Sequence, residues 1–149
     1  MRFTTKLVTA IGATVLALSA VSIQADTPKQ GGTLIWSIGT TPRHLNPAVQ
    51  SGIATGAPGA QLFATLLRFD DKWNPLPYLA KSWQVSDDGL SVTFNLVEGA
   101  TFHDGAPITS SDVAFSIKTI KANHPFKTMF GAVASVETPD RHTAVFKLS

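Results

Sequence analysis

Histidine and aspartate are the residues of this 149-residue sequence most suited to catalysis, and one such pair is adjacent, His103-Asp104. Neighbouring side chains in an extended segment point to opposite sides, so this pair is poorly placed to act as an acid–base couple. No nucleophile motif such as G-x-S-x-G accompanies it. Gly105 follows directly, and Asp-Gly is a strong turn signal. The sequence therefore predicts a structural turn here and no catalytic residue.

Patterns of metal ligands are also missing from the sequence. The four histidines are His44, His103, His124 and His142. They show no H-x-x-x-H or similar spacing, and the chain contains no cysteine. The acidic pairs at 70–71 and 87–88 do not continue into a calcium-loop pattern, and turn formation explains both. We therefore expect no bound metal and no cofactor.

Signals of secondary structure are clearest between Leu76 and Ile117. The run Asp87-Asp88-Gly89 predicts a hairpin turn, because Asp tolerates and Gly favours positive φ. It joins two predicted strands, Ser82–Val85 and Ser91–Leu96. The second strand alternates apolar and polar residues, which indicates that one of its faces is buried.

A helix is predicted to begin at Thr109, after a tight loop over Gly99–Pro107. Thr109 and Asp112 fit the capping box, in which the Thr hydroxyl accepts the Asp112 N–H and the Asp112 carboxylate accepts the Thr109 N–H. Upstream, Pro77–Ala80 is predicted to form a short helical turn with Pro at its start.

The remaining pattern predicts a strand at Thr33–Ile38 and a helix from Pro58 to about Leu67, with Pro in its first turn. Two further strands are predicted at Ala134–Glu137 and Thr143–Leu148. Trp83 is expected in the core, since aromatic side chains supply large buried area.

The residues from Ser82 to Ser116, SWQVSDDGLSVTFNLVEGATFHDGAPITSSDVAFS, carry a resemblance to a known family. They resemble the most recognisable block of the family 5 extracellular solute-binding proteins, the peptide- and nickel-binding receptors of ABC importers. A weaker resemblance extends from Gly31 to the end of the chain. The matching residues are Trp83, Asp87, Asp88, Gly89, Phe94, Leu96, Gly99, Phe102, His103, Asp104, Gly105, Pro107, Asp112, Val113 and Phe115.

The resemblance implies an α/β fold that forms part of a two-lobed periplasmic-binding-protein fold of type II-like organisation. Residues 26–45 would then start a discontinuous first domain, including its first strand. Residues 46–149 would form most of an inserted second α/β domain, truncated at its C-terminal end, since family members are several times longer.

The N-terminal segment, residues 1–25, has the features of a cleaved secretory signal. Arg2 and Lys6 supply its positive region, an apolar run covers Leu7–Ala20, and the small residue Ala25 suits signal peptidase. A membrane helix is the alternative, but the run is shorter than the roughly 20 residues that span a bilayer. Removing the segment leaves ten basic and ten acidic residues, so nothing suggests nucleic-acid binding. Without a cysteine to carry lipid, we expect a soluble periplasmic protein.

Two loops are the best candidates for contact with a ligand. Gly39–Thr41 follows the predicted first strand at its carboxyl end, where open α/β sheets bind ligands. Ser51–Thr55 precedes the helix predicted to start near Pro58, whose N–H groups could face a ligand carboxylate. The predicted ligand-binding residues are Thr40, Thr41, Ile53, Ala54 and Thr55.

The resemblance implies a binding protein and not an enzyme. It would capture peptides or similar small solutes as a monomer and deliver them to an ABC permease in the inner membrane. Its two lobes would close on the solute. Two alternatives remain: a secreted hydrolase whose catalytic residues lie outside this sequence, and a truncated domain that binds nothing.

Overall fold

The structure, a computed structural model, describes residues 31–149. The predicted signal, residues 1–25, lies outside the described residues. The chain separates into two units, residues 1–36 and 37–149. Within residues 31–149, no helix combines the length and the apolar character needed to cross a membrane.

In the first unit, the described residues Gly31–Trp36 form no helix or strand, and Leu34, Ile35 and Trp36 are exposed. The strand predicted over Thr33–Ile38 is therefore wrong for the described chain. A strand needs a neighbour for its backbone N–H and C=O groups. No segment of residues 31–149 pairs with this one.

The second unit is built from helices and antiparallel strands. In chain order, its elements are α1 (Ile53–Leu62), β1 (Leu67–Phe69), β2 (Pro75–Pro77), β3 (Ala80–Val85), β4 (Ser91–Leu96), α2 (Ser110–Asn123), a 3-10 turn (Lys127–Phe130), β5 (Val133–Asp140) and β6 (Thr143–Leu148). Strands β1 and β2 pair with each other, and the other strands form a sheet in the order β3-β4-β6-β5. Every pairing is antiparallel.

The core lies between α2 and one face of the four-stranded sheet. Its buried residues are Ala80, Leu96, Val113, Ala144 and Phe146. The rings of Phe94 and Phe146, on neighbouring strands, meet edge to face at 5.1 Å between centroids. Alternation along β4 places its polar residues on the opposite face, as predicted.

The hairpin between β3 and β4 confirms the predicted turn. Gly89 adopts φ +69°, a conformation that suits glycine. The Asp88 carboxylate accepts the Leu90 N–H at 2.9 Å and the Ser86 hydroxyl at 2.5 Å. These hydrogen bonds from the Ser86 hydroxyl and the Leu90 amide hold the pKa of Asp88 below its ordinary value.

The N-terminus of α2 confirms the predicted capping box. The Asp112 carboxylate accepts the Thr109 N–H at 2.7 Å and also the Thr109 hydroxyl at 2.9 Å. The next residue, Ser110, is buried and donates its hydroxyl to the Asp140 carbonyl. The helix is thereby fixed to the β5–β6 hairpin. It ends at Asn123, because Pro125 disfavours helical backbone at His124.

Two predicted helical segments are wrong. The first is the helical turn predicted at Pro77–Ala80. Pro75–Pro77 is instead a strand, and the Ala80 N–H donates to the Leu66 carbonyl at 2.9 Å. Hydrogen bonds to distant residues therefore replace the predicted turn. Helix α1 begins five residues before Pro58 and ends at Leu62, and Pro58 lies in its interior. Leu62 is 60% exposed, so the C-terminal end of this helix is open to solvent.

The tryptophans differ in their surroundings. Trp83 is half-buried beside Phe94 of the next strand and lies outside the buried core cluster. Trp73 is 81% exposed and lies in the turn between β1 and β2. It has φ +65°, and the Asp70 carboxylate holds this turn by accepting the Lys72 and Asn74 N–H groups at 2.9 and 2.8 Å.

Candidate ligand-binding site

The candidate site is centred on the N-terminal half of α1 and the loop that precedes it. Thr55 and Gly59, four residues apart on one face of the helix, are its buried residues. The Thr55 hydroxyl donates to the His44 carbonyl at 3.0 Å. A Cβ at Gly59 would lie 2.9 Å from the Pro47 ring. This close approach requires glycine and holds the loop against the helix.

The loop itself is fixed by short-range hydrogen bonds. The Asn46 N–H donates to His44 Nδ1 at 3.1 Å, and the Ala48 N–H donates to the Asn46 side-chain oxygen at 2.8 Å. Thr41 precedes His44 by three residues, which an extended chain spans in at most about 11 Å. Thr40 and Thr41 are both exposed, and Thr41 therefore lies within about 11 Å of His44, where the loop is held.

The first turn of α1 offers backbone N–H groups to an anion. Gly52, the residue before the helix, has φ +97° and supplies no side-chain cap. Its carbonyl accepts the Thr55 and Gly56 N–H groups at 3.2 and 2.8 Å. The first turn carries no acidic residue, so its partial positive charge is not offset by a neighbouring side chain.

The predicted ligand-binding residues therefore have different surroundings. Thr40 and Thr41 are exposed, Ile53 is 69% exposed, and Ala54 is half-buried. Thr55 is 1% exposed, with its hydroxyl bound to the His44 carbonyl. Ile53–Thr55 belong to the first turn of α1, so the prediction that they form a loop before the helix is wrong. Their contact with a ligand stays a prediction.

Sequence reasoning missed His44, Pro47 and Gly59, which together fix the helix to the loop. The signal that could have revealed them is the four-residue spacing of Thr55 and Gly59. Small residues at that spacing indicate a helix face approached closely by another segment.

The His103-Asp104 pair forms the predicted turn. The Asp104 carboxylate accepts the Ala106 N–H at 2.9 Å, and the Gly105 N–H donates to the Phe102 carbonyl at 3.0 Å. Gly105 has φ +85°. Over residues 31–149, no three His, Cys, Asp or Glu side chains cluster as a metal site would require.

Comparison with known proteins shows that the four-stranded sheet and α2 match a known protein family. Residues 74–149, about half of the chain, match the model for bacterial extracellular solute-binding proteins, family 5, middle region. This match covers β2 to β6 and includes α2 and its capping box.

Two curated relatives illustrate the similarity. A putative ABC transporter peptide-binding protein of Brucella ovis is 42% identical over 109 residues, which is 70% of this chain and 20% of that protein. The dipeptide-binding protein of Escherichia coli is 30% identical over 125 residues, which is 78% of this chain and 23% of that protein. The chain thus spans about a fifth to a quarter of the length of these relatives.

Solved structures agree with this match. The ABC transporter substrate-binding protein CtaP of Listeria monocytogenes superposes with a TM-score of 0.70 and 34% sequence identity. The superposition covers 80% of this chain and 25% of CtaP. The similarity therefore extends to most of the described fold.

Proposed function

Because this chain belongs to the family 5 bacterial extracellular solute-binding proteins, we propose that it is part of the solute-binding component of an ABC importer. In this role it captures peptides or similar small solutes and leaves them chemically unchanged. The observation that carries the proposal is the family match over residues 74–149, because these residues form the sheet and the capped helix of one folded unit.

The proposed solute contacts surround the N-terminus of α1. A carboxylate of the solute would face the N–H groups of the first helical turn, at Ile53 and Ala54, where the helix dipole favours negative charge. The hydroxyls of Thr40 and Thr41 would supply further hydrogen bonds. Thr55 would act as a positioning residue, since its hydroxyl holds the loop at His44.

This surface supplies only part of a binding site. Pockets for small ligands enclose most of the ligand surface, whereas Thr40, Thr41 and Ile53 are open to solvent. We propose that a second lobe, encoded outside these 149 residues, closes over the solute. The solute stabilises the closed arrangement because it binds that state more tightly than the open one.

The proposed division of the chain follows the same scheme. Residues 26–45 would begin the discontinuous first domain, and residues 46–149 would belong to the inserted second domain. Residues 1–25 would direct export to the periplasm and be removed. The mature protein would act there as a soluble monomer that docks on a permease of the inner membrane.

A hybrid protein tests the proposed contacts. Residues 31–149 would replace the matching segment of the E. coli dipeptide-binding protein, and binding of a defined mixture of di- and tripeptides would be measured. Ile53→Asp should weaken binding about tenfold, since like charges about 6 Å apart at an effective dielectric of about 40 repel by about 1.4 kcal/mol. An acidic residue at a helix N-terminus stabilises the helix, so helix loss would not explain weaker binding.

Leu62→Asp is the matched control, because Leu62 is an exposed apolar residue at the other end of the same helix. It should leave peptide affinity unchanged. Equal affinities for the hybrid with and without Ile53→Asp would refute the proposed carboxylate contact. Mass spectrometry of the peptides after incubation should recover them intact, whereas cleavage would favour the hydrolase alternative.

A further inference from the structure

An open groove runs between α2 and β5. Its volume is roughly 600 Å³. From α2 it is lined by Phe115, Lys118 and Lys121, whose spacing of three residues places them on one face of the helix. From β5 it is lined by Val133, Ser135 and Val136.

The groove combines apolar and positively charged surface. The Phe115 side chain is 69% exposed. An exposed aromatic ring beside other apolar side chains is typical of a binding surface. Among residues 31–149, Lys118 and Lys121 are the only charged residues in the lining, and no acidic side chain contributes to it. The Lys121 ammonium donates to the Val133 carbonyl, so one cation already lies at the beginning of β5. The nearby Glu137 pairs with Lys147 at 3.8 Å, and alternation places both on the opposite, polar face of the sheet.

The strand beside the groove is an edge strand. β5 borders the sheet, and within the described residues no strand pairs with its outer side. It pairs regularly with β6 only over Ser135–Glu137, and irregularities in register lie on both sides of that segment. Pro139, near the end of β5, is compatible only with an edge position or a bulge. A short row of backbone donors and acceptors therefore faces the groove.

We propose that this groove binds an extended, acidic segment of a partner polypeptide, which adds to the sheet beside β5. Strand addition uses the main chain for affinity and neighbouring pockets for alternate side chains. Here the apolar side chains of the segment contact Phe115 and Val136, and its carboxylates face Lys118 and Lys121. The positive lining selects an acidic segment over a basic one. The proposal concerns a partner protein and is independent of the proposed solute site at α1.

A fluorescent peptide tests the proposal on the 149-residue chain. The probe is acetyl-TETVTET-amide, whose two Glu and one Val share one face of an extended strand, and its matched counterpart is acetyl-TKTVTKT-amide. Blocked termini keep both peptides from offering a terminal carboxylate to α1, so failure here leaves the proposed function untouched. At low salt, anisotropy should show at least about fivefold tighter binding of the acidic peptide, and the difference should shrink as salt screens the charges.

Lys118→Glu should reverse the preference between the two peptides, while Lys72→Glu, the same change in the β1–β2 turn, should leave it unchanged. Two further acidic peptides carry N-methyl groups, one on the odd-numbered and one on the even-numbered residues. Only one of these two sets of backbone amides faces β5. One peptide should therefore bind like the unmodified peptide, and the other at least about tenfold more weakly. Equal binding of acidic and basic peptides, or no effect of either methylation pattern, would overturn the proposal. A concentration-dependent dimer that Lys118→Glu dissolves would also overturn it, in favour of a second copy of this chain.

Discussion

The capping box at Thr109 and Asp112 allows a prediction whose magnitude follows from the structure. The Asp112 carboxylate accepts two hydrogen bonds from Thr109, at 2.7 and 2.9 Å, and the helix they begin carries the core residue Val113. Thr109→Ala should lower the free energy of unfolding by about 0.5–2 kcal/mol, the range for loss of a Thr cap. Thr109→Ser keeps the hydroxyl and should cost only a few tenths of a kcal/mol.

Replacing Asp112 by Ala should destabilise the chain by about 1–2 kcal/mol, because the Thr109 N–H loses its acceptor and the helix N-terminus loses a negative charge. The double substitution should cost about 0.5–1 kcal/mol less than the sum of the two, since both single changes remove the same hydrogen bond. Urea unfolding followed by circular dichroism measures these differences, and 1 kcal/mol moves the midpoint by about 0.3–1 M.

Ser111→Ala is the control for this series, because Ser111 is an exposed residue in the same helical turn. Its midpoint should stay within the error of the unsubstituted chain. Equal losses for Thr109→Ala and Thr109→Ser would attribute the effect to packing of the Thr methyl. Strict additivity of the Thr109 and Asp112 changes would show that the hydrogen bond from the Thr109 hydroxyl to the Asp112 carboxylate does not contribute to stability.

The β3–β4 turn and the N-terminal segment can be tested separately. Gly89→Val should lower the free energy of unfolding by about 1–2 kcal/mol, because valine resists the positive φ of this residue. A Cβ at Gly89 meets nothing within 4 Å, so a steric clash does not contribute. An unchanged urea midpoint would contradict this. The lowered pKa of Asp88 contributes stability that is complete above the ordinary Asp pKa and is lost as the pH falls through the lowered value. Asp88→Asn should therefore flatten the fall of the urea midpoint between pH 5 and pH 2.5 more than Asp87→Asn does, and equal profiles would count against the Ser86 and Leu90 hydrogen bonds. In a two-membrane cell, the precursor should lose residues 1–25 and appear in the osmotic-shock fraction, whereas an N-terminus beginning at Met1 in the membrane pellet would exclude this processing.

The parts of the fold that local sequence signals determine were predictable. Strand β4 has the predicted bounds, because its apolar–polar alternation lies within six consecutive residues. Gly89 and Thr109 form the predicted turn and cap, because each depends on residues at most five positions apart. The family match and the solved structures also confirm the predicted fold class, an α/β part of a two-lobed periplasmic-binding-protein fold.

The parts that depend on distant contacts were not predictable from local patterns. Pro58 suggested a helix start, but contacts of Thr55 and Gly59 with the preceding loop place the start earlier. Pairing of Ala80 with Leu66 replaced a predicted helical turn in the same way. The candidate solute contacts stay predictions, because a local pattern does not show which distant segments approach Thr40, Thr41 and α1.

We propose that this chain supplies one part of a solute site and that a second lobe completes it. Isothermal titration calorimetry with a defined mixture of di- and tripeptides tests it, on the 149-residue chain and on its hybrid with the E. coli dipeptide-binding protein. We expect saturable heat from the hybrid and none from the chain alone at micromolar concentrations, since losing half of the contacts removes several factors of ten in affinity, each worth about 1.4 kcal/mol. Micromolar binding by the chain alone, or a cooperatively folded hybrid that gives no heat, would contradict the claim.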